Sequence, residues 1–259
     1  MPSRFSLRAA ALELPARWNE PALALADADA LLSKSPALDL AVLPEASLTG
    51  YLSPRGDADL RALAQPLGGA HTRAVSALAK KHRAYVVAPL IERDGAGPAA
   101  RFYNAMIAFD RDGAIVAHYR KRHPWYPETW ATPGASPLPL FDVEGARVTV
   151  AICFDVHFLE RESADALAAA DVLLFPSAWV EDDGGVDDDA RATLLPLLAS
   201  RFEVAVVNAN WGRGTPRIAG QGGSMIVSAG GVIVARAPHA DTACRVDATL
   251  AHAPPATRQ

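Results

Sequence analysis

Short apolar runs stopped by turn residues recur along this chain, and they commit it to an architecture of buried strands. Residues 38–43, 84–91, 172–175 and 204–208 are of this kind, and 5–12 alternates loosely enough to read as a first strand. Between them lie stretches with helical character at 20–33, 69–83 and 160–170. A further helix ends near Phe202, and its Pro196 fits a first turn better than a middle. Three turns announce hairpins: Arg111-Asp112-Gly113 between 102–110 and 114–119, Glu144-Gly145 between 140–143 and 147–152, and Ala229-Gly230-Gly231 between 224–228 and 232–236. Residues 244–246 are a last strand candidate, with Cys244 in its core.

Strand–helix–strand units alone predict a parallel sheet; hairpins interleaved with them in both halves predict mixed sheets, each with helices on one face. Two such layers packed sheet to sheet give a four-layer α-β-β-α sandwich of the α/β class. With 259 residues and no Ser/Gly/Pro-rich linker, the whole chain 1–259 reads as one domain. A net charge of −4 without a basic run argues against nucleic acid as the partner. No apolar run approaches the roughly 20 residues of a membrane-spanning helix, and the N-terminus lacks the apolar core of a signal peptide. Two cysteines make no secreted disulfide framework, so the expected setting is a reducing cytoplasm.

Three reactive side chains share one local setting. Glu45 follows Leu-Ala-Val-Leu-Pro, Lys121 follows Ile-Val-Ala-His-Tyr-Arg, and Cys153 follows Val-Thr-Val-Ala-Ile. Ligand sites collect at the carboxyl ends of strands in sheets of this kind, so the three can meet despite their separation in sequence. A thiol with an ordinary pKa near ~8.5 needs a base or a cation beside it. Glu45 can take the proton, Lys121 can favour the thiolate, and Lys121 with a backbone N–H after Cys153 can hold an oxyanion. Taken singly, each has a plainer account: a lone Cys at a strand end is often apolar filler, and a lone Glu or Lys is usually solvated.

At these residues the sequence resembles the nitrilase superfamily of carbon–nitrogen hydrolases. Leu43-Pro44-Glu45 with Thr49-Gly50-Tyr51, Tyr119-Arg120-Lys121 and Ile152-Cys153-Phe154-Asp155 match its three signatures in order. Phe175-Pro176-Ser177-Ala178-Trp179, Val207-Asn208-Ala209-Asn210 and Gly222-Gly223-Ser224 fit further downstream. The resemblance implies an αββα sandwich, a homodimer or larger homo-oligomer, and no metal or organic cofactor. It also implies Glu45 as general base, Lys121 as the cation at the tetrahedral intermediate, Cys153 as nucleophile and the Phe154 N–H as second oxyanion donor. Glu128 corresponds to a further glutamate of many members, within a loop similar to that of aliphatic amidases (Pro124-Trp125, Glu128, Trp130, Pro133-Gly134). Phe154-Asp155 after the cysteine looks like amidase branches, where nitrile-specific members usually carry Trp-Glu. The stretch from Cys153 through Trp179 to Leu195-Pro196-Leu197 is similar to the biotinidase and pantetheinase branch, whose members are secreted and longer.

The expectation is therefore hydrolysis of a small-molecule amide through a Cys153 thioester, with Tyr51, Trp125, His157 and Trp179 as candidate pocket residues. Trp130 and Trp211 can line the pocket or pack. His157 lies four residues past Cys153, where a Cys–His dyad is conceivable but a wall or surface position fits better. The histidines show no metal-ligand spacing, and Gly212-x-Gly214 and Gly220-x-Gly222-Gly223 complete no dinucleotide fingerprint. The acidic run 181–189 reads as a solvated loop or as a lid favouring a cationic amine. Acyl transfer to an amine, and ligand binding without catalysis, are the competing functions.

Overall fold

The structure, a computed structural model, describes residues 5–180, 190–214, 220–238 and 241–251. Its strands are β1 (Ser6–Pro15), β2 (Leu40–Val42), β3 (Tyr85–Asp94), β4 (Arg101–Phe109), β5 (Ile115–Arg120), β6 (Leu140–Val143), β7 (Ala146–Val150), β8 (Val172–Pro176), β9 (Ala205–Ala209), β10 (Trp211–Gly212), β11 (Met225–Val227), β12 (Ile233–Arg236) and β13 (Cys244–Ala251). Its helices are α1 (Pro21–Leu32), α2 (Ala70–His82), α3 (Leu159–Glu162), α4 (Ala164–Ala168) and α5 (Arg191–Phe202).

The strands form two mixed sheets. The first has the order β10-β1-β2-β3-β4-β5, with β13 also pairing β1; the second runs β12-β11-β9-β8-β7-β6. Within each, the strands joined through helices are parallel (β1-β2-β3 and β7-β8-β9), and those joined by tight turns are antiparallel. Connection length dictates this, because a two-residue turn can only reverse the chain whereas a parallel return needs a crossover. At the β6–β7 turn both Glu144 and Gly145 have positive φ (53° and 82°), which suits the right-handed twist of a two-residue hairpin.

Strand alternation separates the layers. Leu7, Ala9 and Ala11 of β1 join Val42, Val87, Met106 and Tyr119 in a core shared with Val148, Val150, Leu173 and Val207 of the second sheet. The intervening Ala10, Leu12 and Leu14 pack with Ala24, Ala28 and Leu31 of α1 and Val75, Leu78 and Ala79 of α2. Leu195, Leu198 and Ala199 of α5 bury against the second sheet. The order of layers is thus helix, sheet, sheet, helix, held by apolar burial on three interfaces.

Four local expectations are corrected. The helix at 160–170 is broken into α3 and α4 at Ser163, a residue suited to ending one helix and starting the next. Pro196 lies inside α5 beyond its first turn, because burial of Arg191 and Leu195 extends the helix toward its N-terminus. β13 runs to Ala251, since it pairs β1 from Glu13↔Cys244 to Ser6↔Ala251 and not merely over its apolar start. Cys244 is half-buried at the rim of the shared core. The acidic run 181–189 lies outside the described residues. No helix among those described is long and apolar enough to cross a membrane.

Candidate active site

The carboxyl ends of β2, β5 and β7 open at one edge of the sandwich, and there Glu45, Lys121 and Cys153 meet. Glu45 is held by both sheets: its N–H donates to the Ser177 carbonyl (3.3 Å), and its carbonyl accepts from Trp211 Nε1 (2.7 Å). Its side chain is fully buried, and Oε1 accepts from Lys121 Nζ (2.7 Å) and Asn104 Nδ2 (2.7 Å). Among the described residues Oε2 is buried without a well-formed hydrogen bond, and the Cys153 thiol lies beside the same carboxylate.

Lys121 is set where β5 ends, its N–H on the Asn104 carbonyl (2.8 Å) and its carbonyl accepting from Gly134 N–H (2.8 Å). Gly134 comes so close that a Cβ there would stand 2.0 Å from the Arg120 carbonyl oxygen. That approach closes the loop carrying Glu128 back onto the strand. Glu128 Oε2 accepts from Lys121 Nζ (2.6 Å) and Trp125 N–H (2.6 Å), and Oε1 accepts from Asn104 Nδ2 (2.7 Å). Two carboxylates, one ammonium and one amide therefore form a closed, buried ring.

Cys153 begins a short 3-10 turn and has φ of 45°, a left-handed conformation uncommon for a residue with a side chain. Asp155 holds it there. One carboxylate oxygen accepts from Ile152 N–H (3.1 Å) and Tyr119 OH (2.9 Å), and the other accepts from His123 N–H (2.9 Å). The turn of the second sheet is thereby tied to residues on both sides of Lys121. The backbone at Ala178, after β8, lies close enough to the sulfur to favour its charged form. Phe154 follows Cys153 at the start of the turn, where a backbone N–H has no partner within the turn itself.

Burial pushes the Cys153 thiol well above its ordinary value; Glu45 pushes the same way, and the pull of Lys121 does not reverse them. Burial likewise raises Glu45, with Glu128 adding to the rise and Lys121 opposing it. Burial would lower Lys121, but the two adjacent carboxylates leave it above its ordinary value. The resting site thus holds a neutral thiol beside a carboxylate, and Lys121 serves as their counter-charge without producing a standing thiolate.

Tyr51 is buried next to this ring, its ring 6.4 Å from that of Trp125 and its hydroxyl without a partner among the described residues. Burial raises its pKa, as do Glu128, Glu45 and Cys153. Trp125 is half-buried. Trp179 is also half-buried, its N–H on Asn210 Oδ1 (2.8 Å) and the Arg191 guanidinium 5.6 Å from its ring centre. Trp130 packs in the helix-side core, its Nε1 without a partner among the described residues, and Trp211 braces Glu45. His157 is exposed, edge-on to the Phe154 ring at 5.0 Å; the groups acting on the thiol come from Glu45, Lys121, Ala178 and Glu128. Sequence reasoning missed Asn104. Its signal was a polar amide inside the apolar run 102–110, which demands buried partners.

Comparison with known proteins places these features in context. The carbon–nitrogen hydrolase family model matches residues 8–251. Deaminated glutathione amidase of Homo sapiens is 29% identical over 225 residues, covering 80% of this chain and 66% of that protein. Citrullinase of Francisella tularensis is 31% identical over 140 residues, 48% of each chain. N-carbamoylputrescine amidase of Solanum tuberosum is 32% identical over 152 residues, 49% of this chain and 51% of the relative. The chain thus spans between about half and two thirds of the length of these curated relatives. Among solved structures, an amidase from Nesterenkonia sp. superposes with a TM-score of 0.77 at 23% identity, covering 97% of this chain and 92% of the other. A carbon–nitrogen hydrolase from Helicobacter pylori gives a TM-score of 0.82 at 22% identity, covering 95% and 89%.

Proposed function

The chain belongs to the carbon–nitrogen hydrolase family, and from that premise we propose that it hydrolyses an amide bond of a small molecule through a thioester on Cys153. The observation that carries this reading is the division of labour in the buried ring. Both oxygens of Glu128 and one oxygen of Glu45 are occupied by Lys121, Asn104 and the Trp125 N–H, which leaves Glu45 Oε2 open beside the thiol. An ammonium has three protons, and two of those on Lys121 go to the carboxylates.

In the first half-reaction the thiol proton passes to Glu45 Oε2 as sulfur bonds to the amide carbon. The remaining Lys121 proton and the Phe154 N–H receive the oxyanion. Glu45 then protonates the departing nitrogen, the carbon–nitrogen bond breaks, and ammonia or an amine leaves. In the second half-reaction Glu45 takes a proton from water, whose oxygen attacks the thioester carbon, and returns a proton to sulfur as the acid departs. Because the thiol is neutral at rest, proton removal and attack are coupled. Cys153 is 8% exposed, which favours a small acyl group. The substrate partner is a small amide, the protein acts as a homo-oligomer in the cytoplasm, and Tyr51, Trp125 and Trp179 are the residues we assign to the pocket wall.

The test compares wild type with Cys153→Ala against primary amides, secondary amides, carbamoyl compounds and nitriles, quenched and weighed intact by mass spectrometry. An acyl-sized mass gain on wild type alone is expected, and its size identifies the acyl half. Equal turnover by both proteins removes Cys153 as nucleophile. Transfer of the acyl group to an added amine in preference to water makes the protein an acyltransferase.

A further inference from the structure

We infer that Asn104 is a positioning residue that selects the reacting oxygen of Glu45, by occupying the other one, and that holds Glu128 in place as the fixed partner of Lys121. The inference rests on the proposed role of Glu45 as base, and it concerns a residue that none of the sequence signatures contains.

Asn104 lies near the start of β4, and its strand fixes it independently of its side chain. Its carbonyl accepts the Lys121 N–H (2.8 Å), it pairs Ile91 of β3, and the preceding Tyr103 is covered on the opposite face by the Arg120 guanidinium at 3.8 Å. The amide is therefore the fixed body and the carboxylates adapt to it. Both neighbours are acceptors, so the nitrogen must face them, and its two protons go one to Glu45 Oε1 and one to Glu128 Oε1. Its own oxygen is buried without a partner among the described residues. A purely structural residue here could be leucine, of similar volume, with no stranded acceptor. A buried polar group kept at such a disadvantage points to the donors it supplies.

The chemical consequence concerns Glu45, which faces Lys121 from the end of β5, Glu128 from the following loop, Cys153 from the second sheet and Tyr51 from the loop after β2. Of the two donors on Glu45 Oε1, Lys121 and Asn104, Asn104 is the uncharged one. Hydrogen bonds to a carboxylate favour its charged form, the form that accepts a thiol proton. Without Asn104 the two carboxylates face each other with Lys121 alone between them. Glu45 then holds its proton to higher pH, and either oxygen can turn toward the ammonium.

Alkylation of Cys153 by iodoacetamide tests this without a known substrate. Sulfur bonds to the methylene carbon, iodide leaves, and the thiol proton passes to Glu45. The rate is followed by intact mass across the pH range in which the fold persists, in a Cys244→Ser background, with Asn104→Leu, Asn104→Ser and Asn104→Asp. Leucine should slow alkylation at neutral pH by roughly 10- to 100-fold, equivalent to loss of a hydrogen bond to a charged group. It should also move the acidic limb upward by about one pH unit. Serine, with one donor, falls between; aspartate, matching the side chain in size and adding charge, moves the limb further up. Variants that are folded and slowed but share the wild-type limb overturn the inference, as does leucine alkylating at the wild-type rate. Should leucine not fold, serine and aspartate decide on the same limb. A shifted limb together with equal amide turnover by wild type and Cys153→Ala would sink the thioester reading and leave Asn104 standing; an acyl adduct on wild type with an unmoved limb does the reverse.

Discussion

Glu128→Gln is the perturbation that separates a counter-charge from a second base. In the ring, Glu128 accepts three hydrogen bonds, from Lys121 Nζ, the Trp125 N–H and Asn104 Nδ2. A glutamine amide has one acceptor end. If its oxygen serves Lys121 and Trp125, its nitrogen confronts the Asn104 nitrogen, and one hydrogen bond within a charged network is lost. Such a bond is worth about 1.5–3 kcal/mol, and at ~1.4 kcal/mol per decade turnover should fall roughly 10- to 100-fold. The pH profile supplies the sign. The charge of Glu128 helps hold Glu45 above its ordinary value, so removing that charge lowers Glu45. Its acidic limb should then move to lower pH, opposite to the Asn104 variants. The assay is kcat/KM against pH for whichever amide the panel identifies, or the alkylation profile of Cys153 if none is found. An acidic limb that disappears would make Glu128 itself the titrating base. A limb that moves upward would refute the electrostatic reasoning.

Away from the site, Glu92 offers a stability prediction. Burial works against its charge, but hydrogen bonds from His118 and Arg120 outweigh burial and bring its pKa from 4.5 down to about 2. A folded value below the unfolded one gives stability that is full above about pH 4.5 and is lost as pH falls toward about 2, an effect of about 3 kcal/mol. Denaturation of Glu92→Gln should show that deficit at neutral pH and a shrinking one in acid; a deficit that does not change with pH would refute the linkage. Tyr119→Phe removes the bond that Tyr119 OH gives to Asp155 across the sheets. Stability should fall by about 1 kcal/mol and turnover by several-fold with little change in KM, as measured by thermal unfolding and steady-state kinetics. A loss of stability with unchanged kcat would show that Asp155 needs no help from Tyr119.

The buried strands were legible because each is short and apolar and most are stopped by Pro or a charged residue, and the hairpins because their turns carry Gly at positive φ. Glu45, Lys121 and Cys153 stood out as polar residues delivered directly after such strands, and the fold does bring them together. What stayed hidden depends on partners remote in sequence. The two-residue β10 exists only because it pairs Leu14 and Pro15 of β1, and β13 extends past Val246 only because β1 lies beside it. Asn104 was invisible as a site residue because strand alternation says which face a side chain takes and nothing about what waits there. Asp155 was noticed as part of a motif, but its bonds to Tyr119 and His123 depend on how the two sheets are stacked.

That stacking places a seam through the site. Glu45, Asn104, Lys121 and Glu128 all come from the first sheet and the loops at its edge, and their hydrogen bonds to one another lie wholly on that side. Cys153 alone among the reacting groups arrives from the other sheet. A small displacement of one sheet against the other would leave the ring intact while changing the separation between sulfur and Glu45. The bonds that cross the seam fall where they limit such a displacement: Glu45 N–H to Ser177, and Tyr119 OH and His123 N–H to Asp155. One of them grips the base and two grip the turn of the nucleophile. The left-handed backbone at Cys153 follows from the same requirement, since the turn must aim sulfur back across the seam while Asp155 keeps its hold on the first sheet.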